Sequence, residues 1–122
     1  MHIQESGEMY LETILVISKK RGVVRSIDIA EHLGYSKPSV SRAVGLLKNG
    51  GFITVANDGA IDLTEEGFEI ANKIYERHTV ISSLLMRIGV DEVTAAEDAC
   101  RVVHHISDAT FEALKKYLDS KK

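Results

Sequence analysis

Two helix-length apolar patterns separated by the turn Gly34-Tyr35-Ser36 constrain this chain more than any other feature. In the first pattern Ser26 stands as the N-cap, where a hydroxyl can accept an orphan N–H of the opening turn. Ile29, Ala30 and Leu33 then share one face. Gly34 falls where a helix usually ends, because glycine enters the left-handed region freely. Ser36 caps the second pattern, and Pro38, the only proline, falls in its first turn, where a missing N–H costs little. Val40, Ala43, Val44 and Leu47 form a buried stripe, with Lys37, Ser39, Ser41, Arg42 and Lys48 opposite. Those five are partners for phosphates and base edges. The arrangement is that of a helix-turn-helix with its recognition helix at 37–48.

Residues 50–63 strengthen that reading. Gly50-Gly51 stops the second helix, and Phe52-Ile53-Thr54-Val55 is aromatic and β-branched, as strands are. Asn57-Asp58-Gly59 is a turn signal, and Ala60-Ile61-Asp62-Leu63 alternates back. A hairpin directly after a helix-turn-helix is a wing.

The net charge of −3 taken alone opposes nucleic acid, but its distribution favours it. Residues 19–55 carry seven Lys and Arg (Lys19, Lys20, Arg21, Arg25, Lys37, Arg42, Lys48) against Asp28 and Glu31, a local +5 that leaves −8 elsewhere. A basic patch on an acidic body concentrates phosphate attraction on one surface. Arg25, Lys37, Ser39, Ser41, Arg42 and Lys48 are therefore the expected contacts to a double-stranded DNA operator. The wing contains no Lys or Arg and should add little phosphate affinity. One cysteine excludes an internal disulfide. The polar start MHIQESGEMY has no apolar signal region, and no run approaches a membrane span, so a cytoplasmic protein without membrane partners is expected.

Residues 8–20 place Met9, Leu11, Ile14, Leu15 and Val16 at helical spacing ahead of Gly22. After the wing, Thr64 caps a helix running from 65 to about 88, with Ile70, Ile74, His78, Ile81 and Leu85 on one stripe. A further helix spans 91–106, and Ser107 and Asp108 offer a cap for a last one near 109–119. The predicted fold is mainly α: a winged helix-turn-helix over 1–63 with a small β-hairpin wing, then a three-helix dimerisation domain over 64–122. A helix as long as 65–88 should not bury its stripe against two short neighbours alone, so a second copy of the chain is the expected partner.

Cys100 and His104, four apart on one predicted helix, face the same way, with Glu97 on that side. Sulfur and imidazole together suit Fe(II), Zn or Co over Mg or Ca. A buried thiol beside a core histidine fits the same spacing.

The order of segments EMYLETI, winged helix, YERH, RIGVD and ACRVVHHIS resembles the metal-dependent repressors of the diphtheria toxin repressor and manganese transport regulator family over nearly the whole chain. Without the SH3-like third domain of the iron-responsive branch, the two-domain length is similar to the manganese-type branch. The resemblance implies metal ligands at Met9, Cys100 and His104, as in the iron-responsive branch, and at Glu12 and His78, as in the manganese branch. It implies a divalent ion among Fe(II), Mn(II), Zn and Co. Three positions depart from the family: Val103 replaces a carboxylate ligand and should leave an apolar group facing the ion, and Ser82 and Ala96 replace two side chains of a second site.

The expected function is a homodimeric repressor in which metal, held between first helix and dimerisation domain, fixes the orientation of the DNA-reading domains. The alternative is a winged-helix regulator with a vestigial metal site, constitutive or gated by Cys100 oxidation. An enzyme with Cys100 as nucleophile lacks an anion site and an orienting acid, so neither catalysis nor a small-molecule substrate is expected.

Overall fold

The computed structural model describes residues 5–121. The first apolar pattern folds as α1 (Glu5–Arg21), with Leu11, Ile14, Leu15 and Ile17 buried and the buried Thr13 hydroxyl donating to the Met9 carbonyl at 2.9 Å. Then come α2 (Ser26–Leu33) and α3 (Lys37–Asn49), separated by Gly34 in the left-handed region at φ 71°. Ser36 caps α3 as expected, its hydroxyl oxygen accepting the Ser39 N–H at 3.3 Å. The cap of α2 is a correction. Arg25, not Ser26, is the N-cap residue, and the Asp28 carboxylate, three residues on, reaches back to accept the Arg25 N–H at 2.9 Å. A carboxylate accepts that bond more strongly than a hydroxyl would supply one.

The wing is β1 (Ile53–Val55) paired antiparallel with β2 (Ile61–Leu63), in the register Ile53 to Leu63 and Val55 to Ile61. Val24 adds an isolated bridge to Ile61, which ties the approach to α2 onto the wing. Ile29, Val40, Val44, Leu47, Phe52, Ile53 and Ile61 complete the core around α1.

Helix α4 (Glu65–Arg87) begins in this first compact unit, which reaches Asn72; the second unit starts at Lys73. Thr64 caps α4 by accepting the Gly67 N–H at 3.2 Å and donating to the Gly51 carbonyl at 2.7 Å. Gly67 is required there: a Cβ would lie 1.9 Å from the Phe52 carbonyl oxygen. Helix α5 (Glu92–Val102) is capped by Asp91, and α6 (Asp108–Ser120) by Ser107. No helix among the described residues is long and apolar enough to cross a membrane.

The second unit corrects two expectations. Helix α5 stops at Val102 instead of continuing to 106, and 103–106 form turns in which His105 N–H bonds the Val102 carbonyl at 3.0 Å. The stripe of α4 is also covered in part within the chain: Ile74 and Ile81 are buried, while Ile70, His78 and Leu85 are half-buried. Ile74 and Ile81 pack with Ala99 and Val103, and Val80 packs with Phe111 and Leu118. Helix α5 contributes the buried Ala95 and Ala99, and α6 the buried Phe111 and Leu118. The apolar side chains left exposed here are Met86, Ile88, Val93, Val102 and Tyr117.

Arg77 lies on the buried side of α4. Its guanidinium donates to the Ile106 carbonyl at 3.0 Å, pairs with Asp108 and stands 5.1 Å over the Phe111 ring. A buried cation is tolerated only with such partners. Lys73 meets the same carboxylate at 3.0 Å. The Lys73 ammonium, by hydrogen bond and charge, and then the Arg77 charge hold the Asp108 carboxyl below its usual range. A depressed carboxylate stabilises the fold above its unfolded pKa of about 3.9, and that contribution is lost as pH falls through the lower folded value. The thermal midpoint of the wild-type protein should therefore fall on acidification below about pH 4. Asp108→Asn should lower the midpoint at neutral pH and flatten the acid limb; an unchanged limb by circular dichroism would show that this cluster does not set it.

Val103 is 1% exposed, against Ile74 and Ile81, so the expectation that it faces a metal is wrong. Val103 keeps helical angles and bonds the Ala99 carbonyl at 3.0 Å, so it continues the buried face of Ala95 and Ala99. Val103→Glu should then bury a carboxylate without a partner and cost about 3 kcal/mol or more. Urea unfolding checks this, and a fully stable variant would place the side chain outside the core.

Candidate nucleic-acid interface and metal ligands

The solvent face of α3 presents Lys37, Ser39, Ser41, Arg42 and Lys48, all exposed. Among the described residues, no ion pair engages Lys37, Arg42 or Lys48. The Ser39 hydroxyl accepts from the Ser36 hydroxyl at 2.9 Å, so part of its capacity belongs to the cap. Between the starts of α2 and α3 lies an open groove of about 240 Å³ lined by Ser26, Ile27, Lys37 and Ser41. Unpaired cations beside a concave, hydroxyl-lined surface can accept a polyanion without first breaking an internal bond.

Two arginines of the first unit are differently placed. Arg21 pairs with Asp28 at 3.3 Å. Arg25 turns to the wing, donating through Nε to the Asp58 carbonyl at 3.3 Å and pairing with the Asp58 carboxylate at 3.4 Å. These two arginines thus have internal partners that Lys37, Arg42 and Lys48 lack, as the sequence count could not reveal.

The expected metal donors lie in both units. In the first, Met9 and Glu12 are half-buried on α1. The Tyr35 hydroxyl, in the turn before α3, donates to the Met9 sulfur at 4.0 Å, and the Tyr35 ring meets Tyr10 edge-on at 6.2 Å. Burial, then the proximity of Tyr35, pushes the Tyr10 phenol above its ordinary pKa. In the second unit His78 is half-buried on α4, Cys100 is exposed on α5 and His104 is half-buried in the turn after it. Cys100 and His104 therefore stand on either side of the helix end, His104 one residue past the Val103 C-cap. Glu97 is exposed on α5. No three His, Cys, Asp or Glu side chains among the described residues gather closely enough to hold an ion. At the positions of the second family site, Ala96 has no donor, and the Ser82 hydroxyl is buried without a hydrogen-bond partner.

Two residues were missed from sequence. Arg77 bridges α4, which carries His78, to the turn after His104. A signal existed, because Arg77 is three residues from Ile74 and four from Ile81, on the apolar stripe, where a charge demands a partner. Tyr35 gave none, since an aromatic residue in a turn has no periodic pattern to break.

Comparison with known proteins agrees with this architecture. Residues 2–61 match the family model for the iron dependent repressor N-terminal DNA binding domain, and residues 64–122 match its metal binding and dimerisation domain. The chain is 31% identical over 116 residues to the transcriptional regulator MntR of Escherichia coli O6:H1, an alignment covering 95% of this chain and 75% of that one. It is 33% identical over 116 residues to the diphtheria toxin repressor of Corynebacterium glutamicum, covering 94% of this chain and 51% of the relative. The solved structure of the manganese regulator SloR superposes with a TM-score of 0.82 at 28% identity, covering 98% of this chain and 55% of that chain. The chain thus spans about half the length of two of these relatives. With a model match over each of its two halves, the chain belongs to the iron dependent repressor family of metal-responsive, DNA-binding transcriptional regulators.

Proposed function

We propose that this chain is a homodimeric repressor, acting in the cytoplasm, whose hold on a double-stranded operator depends on a bound divalent transition metal. The observation that carries the DNA half of this reading is α3, whose solvent face offers Lys37, Arg42 and Lys48 without internal partners. The dimer reading rests on the family domain over 64–122 and on the exposed Met86, Ile88, Val93 and Val102, which are apolar and uncovered in one chain.

For the metal, the donor set is a thioether (Met9), a carboxylate (Glu12), two imidazoles (His78 and His104) and a thiolate (Cys100). That chemistry suits Fe(II), Zn or Co, with Mn(II) dependent on the Glu12 oxygen. When bound, the ion supplies positive charge and a cross-link among these donors. Since Met9 and Glu12 belong to the first unit and the other three to the second, sharing one ion would tie the DNA-reading unit to the dimerisation unit. Two recognition helices must lie about one or two turns of DNA apart, and restricting that spacing removes an ordering cost from binding.

A second reading is favoured by the exposed Cys100 and by the absence of a preassembled donor cluster among the described residues. In it the metal site is vestigial and DNA binding is constitutive or gated by the thiol. Cobalt titration followed by absorption separates the two. A thiolate-to-cobalt charge-transfer band in wild type, lost in Cys100→Ser, supports the metal reading; no band in wild type supports the vestigial-site reading. For the DNA half, Arg42→Ala should weaken operator binding by about 1–3 kcal/mol if the side chain reaches a base edge. Unchanged binding at equal salt would displace the recognition surface from α3.

A further inference from the structure

The Arg25–Asp58 contact joins two residues 33 apart in sequence, and both ends are set in place independently. Arg25 is the N-cap of α2, with its own N–H held by Asp28. It immediately precedes Ser26, which lines the groove shared with Lys37 and Ser41 of α3. Asp58 sits at the wing tip, where its Oδ1 accepts the Ala60 N–H at 3.1 Å and leaves Oδ2 for Arg25. The turn is closed by Ala56 N–H to Ala60 O and Gly59 N–H to Ala56 O, each 2.9 Å, with Gly59 at φ 87°. The guanidinium fork thus meets a carboxylate and a carbonyl of one residue, much as it would meet two oxygens of a phosphate.

We propose that Asp58 is an internal stand-in for a DNA phosphate that keeps Arg25 from the duplex, making the wing tip a brake on affinity. The inference rests on the first unit being the DNA-binding domain. Residues 52–63 contain Asp58 and Asp62 and no basic residue. Turning Arg25 outward would therefore leave a bare carboxylate beside the polyanion, and the exchange is penalised twice. The pair is also well exposed, at 47% and 66% of the two side chains, so it is weak enough for one substitution to release.

The test is binding of a random-sequence duplex by the full chain, read by fluorescence anisotropy from about 50 to 200 mM salt, where the phosphate contribution dominates. Asp58→Asn keeps an oxygen for the Ala60 N–H, and its thermal midpoint checks that the hairpin survives. It should tighten binding several-fold and steepen the plot of log K against log salt by about 0.9, one added phosphate contact. Arg25→Ala should weaken binding only modestly in the wild-type background, through the Asp58 charge it uncovers, and should abolish the gain in the Asp58→Asn background. If the double variant keeps the gain, Asp58 acts only as a repelling charge and the brake is overturned. It is equally overturned if Arg25→Ala weakens binding as much in the wild type as in Asp58→Asn, or if Asp58→Asn changes nothing while the wild type binds. No duplex binding by the wild type at low salt would overturn the DNA-binding reading, and the brake with it.

Discussion

Leu11, Ile14, Leu15 and Ile17, on one side of α1, are almost wholly withdrawn from water, and the first unit is built around them. Each such side chain contributes about 1.5–3 kcal/mol of transfer free energy. Helix α1 packs on α2, α3 and β2, so the recognition helix and the wing take their positions from one buried surface. Close-packed interiors transmit displacement instead of absorbing it. The same helix carries Met9 and Glu12, and Met9 also touches the turn before α3 through the Tyr35 hydroxyl. The packing of α1 and this polar contact connect the positions of Met9 and Glu12 to the recognition helix.

Electrostatics divides the basic residues of the first unit by role. Arg21 and Arg25 are committed to Asp28 and Asp58, at the approach to α2 and at the wing tip. Lys37, Arg42 and Lys48 have no ion partner among the described residues and project from α3. Exposed pairs contribute little to stability. Their larger effect here is on where the positive potential falls, which is the recognition helix and not the wing.

The second unit depends on Arg77 in a comparable way. Its guanidinium satisfies the Ile106 carbonyl and the Asp108 carboxylate, so the bend between α5 and α6 is anchored to α4. That bend carries His104, and α4 carries His78. The spacing between these two imidazoles is consequently held by a buried cation and by the core of Ile74, Ile81, Ala99 and Val103. The core explains why position 103 supplies no ligand: the side chain is part of the packing that sets its neighbours.

The order and type of the elements were legible in the sequence, because periodicity, caps and turn residues are local. Gly34, Ser36, Pro38, Thr64 and Ser107 mark ends that the structure confirms, and Val40, Val44 and Leu47 mark the inner face of α3. Where a choice depended on a distant partner, the sequence was insufficient. Whether α5 ran to 102 or 106 was not legible from its periodicity, and beyond its end the Ile106 carbonyl accepts from the distant Arg77. How much of the α4 stripe was covered depended on which side chains of α5 and α6 pack against it. Whether Arg25 was free depended on a wing residue 33 positions away. Sequence by itself determined which helices and strands form and which faces are apolar, since those follow from neighbours a few residues apart. Only the tertiary structure decided which charges are spent internally and which side chains are buried, since those depend on contacts between segments remote along the chain.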